Sequence, residues 1–140
     1  MPSNCYPVNS GEYAVRHNPP PYFRTLTGCS TFDFPYSQLA TDLASNTLPA
    51  FSFITPNVIN DMHDATIADG DSWLANNLPT IFNSPEYQDR STVVFLTWDE
   101  GEGGTAINCA TNTTAVGCHV ATIVISPSTV PGSTSATLQP

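Results

Sequence analysis

Two apolar runs in this 140-residue chain end in side chains able to do acid–base or metal chemistry. AFSFIT, Ala50 to Thr55, leads through Pro56 to Asn60, Asp61, His63 and Asp64, and TVVFLTW, Thr92 to Trp98, runs directly into Asp99 and Glu100 before a glycine-rich stretch. A third run, VATIVIS from Val120, is entered from His119. Hard carboxylate oxygens with one or two imidazoles suit a divalent ion such as zinc, manganese, iron or calcium, and the spacing alone does not choose among them. Imidazole also titrates near neutrality, so it can position a substrate or protonate a leaving oxygen. The plain alternative is that Asp99 and Glu100 open an exposed turn, for which Asp, Glu and Gly are common residues. Asp69 and Asp71 do not complete the D-x-[DN]-x-[DN]-G calcium loop and read better as helix caps.

These groups need a scaffold. The three runs are β-branched and aromatic with no polar alternation, as expected of strands covered on both faces. Separated by crossover-length segments, they predict an α/β fold in which Phe51 to Ile54, Val93 to Thr97 and Ala121 to Ile125 are parallel neighbours, with antiparallel pairing of the last two left open by the little helical pattern between them. Open sheets of that kind bind ligands at the carboxyl ends of their strands. Leu39, Ala40 and Leu43 share a helical face within Tyr36 to Ala44, and Asn46 is a natural stop. A second helix is expected from a cap at Asp71 or Ser72, carrying Trp73, Leu74, Asn77, Leu78, Ile81 and Phe82, with Pro79 kinking it or starting a new segment. Asn57 to Asp71 reads as one long polar loop, Met1 to Pro21 as irregular chain pinned by Cys5, and Tyr22 to Leu26 as a short helical turn.

Composition narrows the function. Three arginines and no lysine stand against twelve acidic residues, a net charge of -9, which leaves no basic surface for a phosphate backbone and makes nucleic acid a poor partner. The same field repels a small anion unless a bound cation reverses it locally, so an acidic phosphate-handling protein implies a metal. No apolar run approaches the roughly 20 residues of a membrane span. Cys5, Cys29, Cys109 and Cys118 form two sequence-local pairs without C-x-x-C spacing; disulfides Cys5–Cys29 and Cys109–Cys118 fit better than zinc and point to a secreted or extracytoplasmic protein. The sequon at Asn112 adds slightly to that reading.

Five segments in order, YAVRHNPPPYF (13–23), LPAFSFITPNVINDMHD (48–64), GDSWLANNLPTIF (70–82), VVFLTWDEGEGG (93–104) and CHVATIVISPSTVPG (118–132), give a resemblance covering almost the whole chain. The sequence resembles the phosphoesterase family of secreted phospholipases C and acid phosphatases, within the alkaline phosphatase superfamily. The resemblance implies part of a three-layer α/β domain with a mainly parallel sheet, acting on phosphoric esters, a phospholipid or a phosphomonoester, by metal-assisted phosphoryl transfer. It implies metal ligation by Asp99 and Glu100, ligand or phosphate-contact roles for Asp61, His63 and His119, and a substrate-side imidazole at His17 in the RHNP motif. It also implies a strand ending in Glu-Asn and a hydroxyl nucleophile ahead of the equivalent of Cys5, and neither motif occurs in these 140 residues. The chain is therefore read as one partial catalytic domain, residues 1–140, inactive when isolated.

The rival reading is a secreted, acidic, disulfide-pinned binding module, or an inactive fragment, with turn carboxylates and no turnover. Either way, a thiol reagent applied to the native protein is expected to find no free cysteine, and two or more reactive thiols would contradict the pairing.

Overall fold

A computed structural model describes residues 1–23, 25–99, 101 and 116–135. The chain divides into two compact units, residues 1–85 and 86–140, and each is considered by itself. Their elements make the protein a mixed α/β chain.

The first unit opens irregularly, as the Pro- and Asn-rich sequence predicts, with single 3-10 turns at Val15–His17, Pro20–Tyr22 and Cys29–Thr31. Within the stretch expected as a short helical turn, Tyr22 to Leu26, the Leu26 N–H donates to the Phe23 carbonyl at 2.9 Å, and the preceding 3-10 turn Pro20–Tyr22 is favoured by proline at its first positions. The disulfide Cys5–Cys29 closes this region as expected, with Cα atoms 5.7 Å apart. The Cys5 N–H donates to the Asp33 carbonyl at 3.1 Å, tying the bridge to the backbone of a residue that is only 9% exposed.

Helix α1, Ser37–Ser45, buries Leu43 at 2% exposure, and Asn46 ends it in the left-handed region (φ 56°), its N–H returning to the Asp42 carbonyl. Helix α2, Ile67–Phe82, starts four residues before the earlier of the two expected caps. Thr66 and Asp69 form a capping box: the Thr66 hydroxyl accepts the Asp69 N–H at 3.3 Å, while the Asp69 carboxylate accepts the Thr66 N–H at 2.9 Å. The T-x-x-D signal stood in the sequence, hidden in a stretch too polar to read as helix. Pro79 does not end α2, which continues to Phe82. The start of α1 meets α2 where the rings of Tyr36 and Trp73 lie 5.4 Å apart and the Tyr36 hydroxyl donates to Asn77 Oδ1 at 2.8 Å.

Two expectations about strands need correction. Phe51 to Ile54 forms no strand among the described residues, and Phe51 and Phe53 are 79% and 70% exposed. Strand propensity measures fit to a pleated neighbour rather than an intrinsic backbone preference, and here no neighbouring strand is paired with the segment. In the second unit, β1 (Val94–Thr97) and β2 (Thr122–Ile125) pair antiparallel, not parallel, with Val94 opposite Ile125 and Thr97 opposite Thr122. A parallel pair needs a crossover packed on the sheet, usually a helix, and the sequence between these strands has no helical apolar period to supply one. The short helix α3, Pro85–Gln88, precedes β1. No helix of the described residues is long and apolar enough to cross a membrane.

The capping box yields a test. Hydrogen bonds from Thr66 hold the Asp69 carboxyl below its ordinary value. A depressed folded value stabilises the fold above the unfolded aspartate value and loses that contribution as pH falls through the folded value. Urea unfolding should therefore show Asp69→Asn weaker than the parent near neutrality and converging with it in acid. Thr66→Ala should lose about 1 kcal/mol.

Candidate active site

The residues between Asn57 and Asp64 are not a slack loop. The Asn57 side chain accepts the Asn60 N–H at 2.9 Å, the Asn57 carbonyl accepts the Asp61 N–H at 2.8 Å, and the Val58 carbonyl accepts the Asp64 N–H at 2.8 Å. Val58, 8% exposed, gives the knot its apolar centre. Glu12 ties it to the start of the chain twice, its carbonyl accepting the Val58 N–H at 3.1 Å and its carboxylate accepting from Asn57 Nδ2. Three residues beyond Glu12 begins the turn Val15–His17, held by Asn9 Oδ1 accepting the Val15 N–H at 2.9 Å.

This arrangement joins two segments that lie far apart in sequence. His17 Nδ1 lies 2.9 Å from Asp61 Oδ2, with the side chains 24% and 16% exposed. The other oxygen of Asp61 accepts the His63 N–H at 2.8 Å. The rings of His17 and His63 are 5.5 Å apart. His63 Nδ1 contacts Asp64 Oδ1 at 2.7 Å, and an Arg16 guanidinium nitrogen stands 3.4 Å from His63 Nε2. A carboxylate only accepts and a guanidinium only donates, so the proton of each imidazole sits on Nδ1 facing its aspartate. Nε2 of His17 has no hydrogen-bond partner among the described residues and is the atom the cluster offers outward.

The residue after His17 works in the opposite direction. Asn18 Nδ2 donates to Asp33 Oδ2 at 2.9 Å and to the Tyr13 hydroxyl at 3.1 Å, and that hydroxyl donates to the Tyr6 carbonyl at 2.8 Å. Burial pushes the Tyr13 phenol up, partly opposed by the hydrogen bond from Asn18. So Arg16 and His17 face the cluster while Asn18 anchors their turn to the disulfide-linked segment.

In the second unit, antiparallel pairing has a consequence the parallel expectation lacked. Thr97 is opposite Thr122, and its hydroxyl also donates to the Ala121 carbonyl at 3.1 Å. The chain leaving β1 and the chain entering β2 therefore share one end of the ladder, and Asp99 and His119 are both exposed there. A parallel pair would have put His119 at the opposite end. The Gly101 N–H donates to the Gly117 carbonyl at 3.1 Å, keeping the two segments together past the last ladder pair. Cys118, beside His119, is disulfide-bonded; its expected partner Cys109, Glu100 and the Asn112 sequon lie outside the described residues.

The metal question turns on donor chemistry. Cys5, Cys29 and Asp33 bring three ligand-type atoms within 4.8 Å of one another, but both sulfurs are spent in a disulfide and offer no thiolate. Asp61 already uses both oxygens inside the protein, and His63 Nε2 faces a cation. Asp99, an exposed hard-oxygen donor sharing a ladder end with an imidazole, has the chemistry of a divalent-ion ligand. Arg16 and Asn18 escaped the sequence reading as individual residues, although RHNP was the signal that contained them both.

Paired imidazoles, each with a carboxylate behind it, and a guanidinium beside them have the chemistry to contact an anionic group. The sequence pattern of the Phosphoesterase family matches residues 3–138, and the chain belongs to that family. It is 35% identical over 95 residues to a phosphatidylinositol-3-phosphatase of Mycobacterium tuberculosis, covering 68% of this chain and 30% of that protein. It is 33% identical over 101 residues to a phosphate-repressible acid phosphatase of Penicillium chrysogenum, 69% of this chain and 24% of the relative. An acid phosphatase of Aspergillus fumigatus is 33% identical over 92 residues, 64% of this chain and 20% of the relative. The chain thus spans less than a third of the length of these curated relatives. No solved structure matches it.

The His17–Asp61 bond can be weighed by a double-mutant cycle. His17→Ala with Asp61→Ala, read by urea unfolding, should show a coupling of about 1 kcal/mol, whereas His17→Ala with Asp64→Ala should be additive.

Proposed function

We propose that this chain takes part in the hydrolysis of phosphoric esters, its first unit supplying an imidazole cluster and its second supplying metal-ligand residues. The observation that carries the reading is the His17–Asp61 pair, with His63 and Arg16 beside it in one cluster. Asp61 holds Nδ1–H of His17 and leaves Nε2 free, and when Nε2 also carries a proton the imidazolium can give it to the departing alkoxide or donate to a phosphoryl oxygen. Arg16 contributes a fixed positive charge with the planar donor geometry that phosphate oxygens favour. His63, kept oriented by Asp64, stands against Arg16 and steadies that guanidinium. Asp61 serves as a positioning carboxylate, one oxygen on His17 and the other on the His63 N–H. In the second unit the resemblance to the family assigns metal ligation to Asp99 and Glu100, and His119 acts on substrate or metal.

When bound, the cation polarises a phosphoryl oxygen and favours ionisation of an attacking hydroxyl. It also offsets the repulsion that a chain of net charge -9 exerts on an anionic substrate. We take the substrate to be a phosphomonoester or the phosphodiester of a phospholipid, classes compatible with the names of the phosphatidylinositol-3-phosphatase and acid phosphatase relatives. The Cys5–Cys29 bridge supports an extracytoplasmic location. The same reading takes β1 and β2 as part of a larger, helix-covered, three-layer sheet, supported by the exposure of Phe95 (66%), Ile123 (50%) and Val124 (43%).

A chromogenic phosphomonoester with added divalent metals tests the proposal. The 140 residues alone should bind manganese weakly and leave the ester intact, because the nucleophile motif is not among them. A form that also carries the Glu-Asn strand and the hydroxyl segment should cleave it. Asp99→Asn in that form should abolish most turnover while sparing the fold, since it deletes a charge and little volume. Turnover by the 140 residues that Asp99→Asn abolishes would overturn the account of the nucleophile. An extended form indifferent to Asp99→Asn would overturn the metal assignment.

A further inference from the structure

One residue separates Asp61 from His63, and it bends the chain the hard way. Met62 has φ 74°, in the left-handed region where a residue with a Cβ is disfavoured and where Met has no polar side-chain atom to compensate. In that conformation the His63 N–H returns to Asp61 Oδ1 while Asp61 Oδ2 faces His17. The Met62 side chain lies over Gly70, a buried glycine in the second turn of α2. A Cβ placed on Gly70 would come within 2.7 Å of Met62 Sδ, closer still to its Cγ, and within 3.2 Å of the Asn60 carbonyl oxygen, which is backbone of the same knot. Glycine is among the poorest residues for a helix interior, and the capping box at Thr66 and Asp69 places it one position further into the helix.

We propose that Gly70 is a positioning residue for the imidazole pair: it is the notch in α2 that receives Met62 and so holds the left-handed turn aligning Asp61 with both His17 and His63. The distances place the lock one step behind the charged cluster, touching none of the groups that would meet a substrate. Its bearing on catalysis rests on the phosphoric-ester reading above, but the geometric claim does not.

The test uses the chain itself and reads the side-chain nitrogens of His17 and His63 by long-range proton–nitrogen correlation, with far-ultraviolet circular dichroism as the check on folding. Gly70→Ala should shift both imidazole signals and abolish the His17–Asp61 coupling, and adding Met62→Gly should restore both, because glycine adopts the left-handed turn freely and removes the obstructing side chain. A glycine with no such role predicts the reverse: alanine would stabilise α2 by its higher helix propensity and leave both imidazoles unmoved. If Gly70→Ala does not fold, Met62→Ala and Met62→Gly decide the matter. Alanine at 62 keeps the backbone penalty without the anchor and should shift the imidazole signals more than glycine does. Unmoved imidazoles in Gly70→Ala, no rescue by Met62→Gly, or equal shifts from the two Met62 variants would overturn the proposal. Inorganic phosphate titrated into the parent separates the two claims: if the parent does not bind it, the functional reading suffers, while the imidazole signals still judge the lock.

Discussion

The carboxylate of Asp61 is the point on which the first unit's site depends. One oxygen meets His17 and the other meets the backbone of His63, so a single side chain joins segments 44 residues apart, orients the first imidazole and ties down the backbone that carries the second. A carboxylate can do this because it accepts at two oxygens with several lone pairs. Its partial burial makes each bond worth more than it would be in open water.

Everything around Asp61 limits how far its two partners can move. Glu12 holds the knot of Asn57 to Asp64 to the N-terminal segment by a backbone and a side-chain bond. Asn18 holds the His17 turn to Asp33, whose carbonyl is bonded to the disulfide-linked Cys5. The apolar contribution is small: Ala14, Leu43 and Val58 are the buried hydrophobic residues among those described. Order in this unit is therefore carried by polar bonds and one covalent bridge more than by a core, a balance suited to holding short irregular segments that no helix or sheet ladder could fix.

The second unit solves the positioning problem by ladder geometry. Antiparallel pairing returns the chain beside itself, so the residue types at the end of β1 and the start of β2 share one end without any packed crossover. The hydroxyls of Thr97 and Thr122, 2.9 Å apart, close the last pair before that end. Asp99 and His119 owe their common placement to register alone.

Much of this was legible in the sequence, and the limits have physical causes. Residue type and order determined the chemistry available: carboxylates and imidazoles behind apolar runs, the local cysteine pair Cys5 and Cys29, the stop at Asn46, and a family pattern spanning residues 3–138. These are local or compositional facts, set by a residue and its near neighbours. The start of α2 was also local, and Thr66 with Asp69 encoded it, but polarity masked the signal. Tertiary structure alone decided that β1 and β2 run antiparallel, that Phe51 to Ile54 joins no ladder, and that His17 belongs with Asp61. Strand direction depends on the path of the connection, ladder membership on whether a neighbour is present, and the His17–Asp61 bond on a fold that brings residues 44 positions apart to 2.9 Å. None of those relations is a property of any short stretch of the chain, so no motif could have carried them.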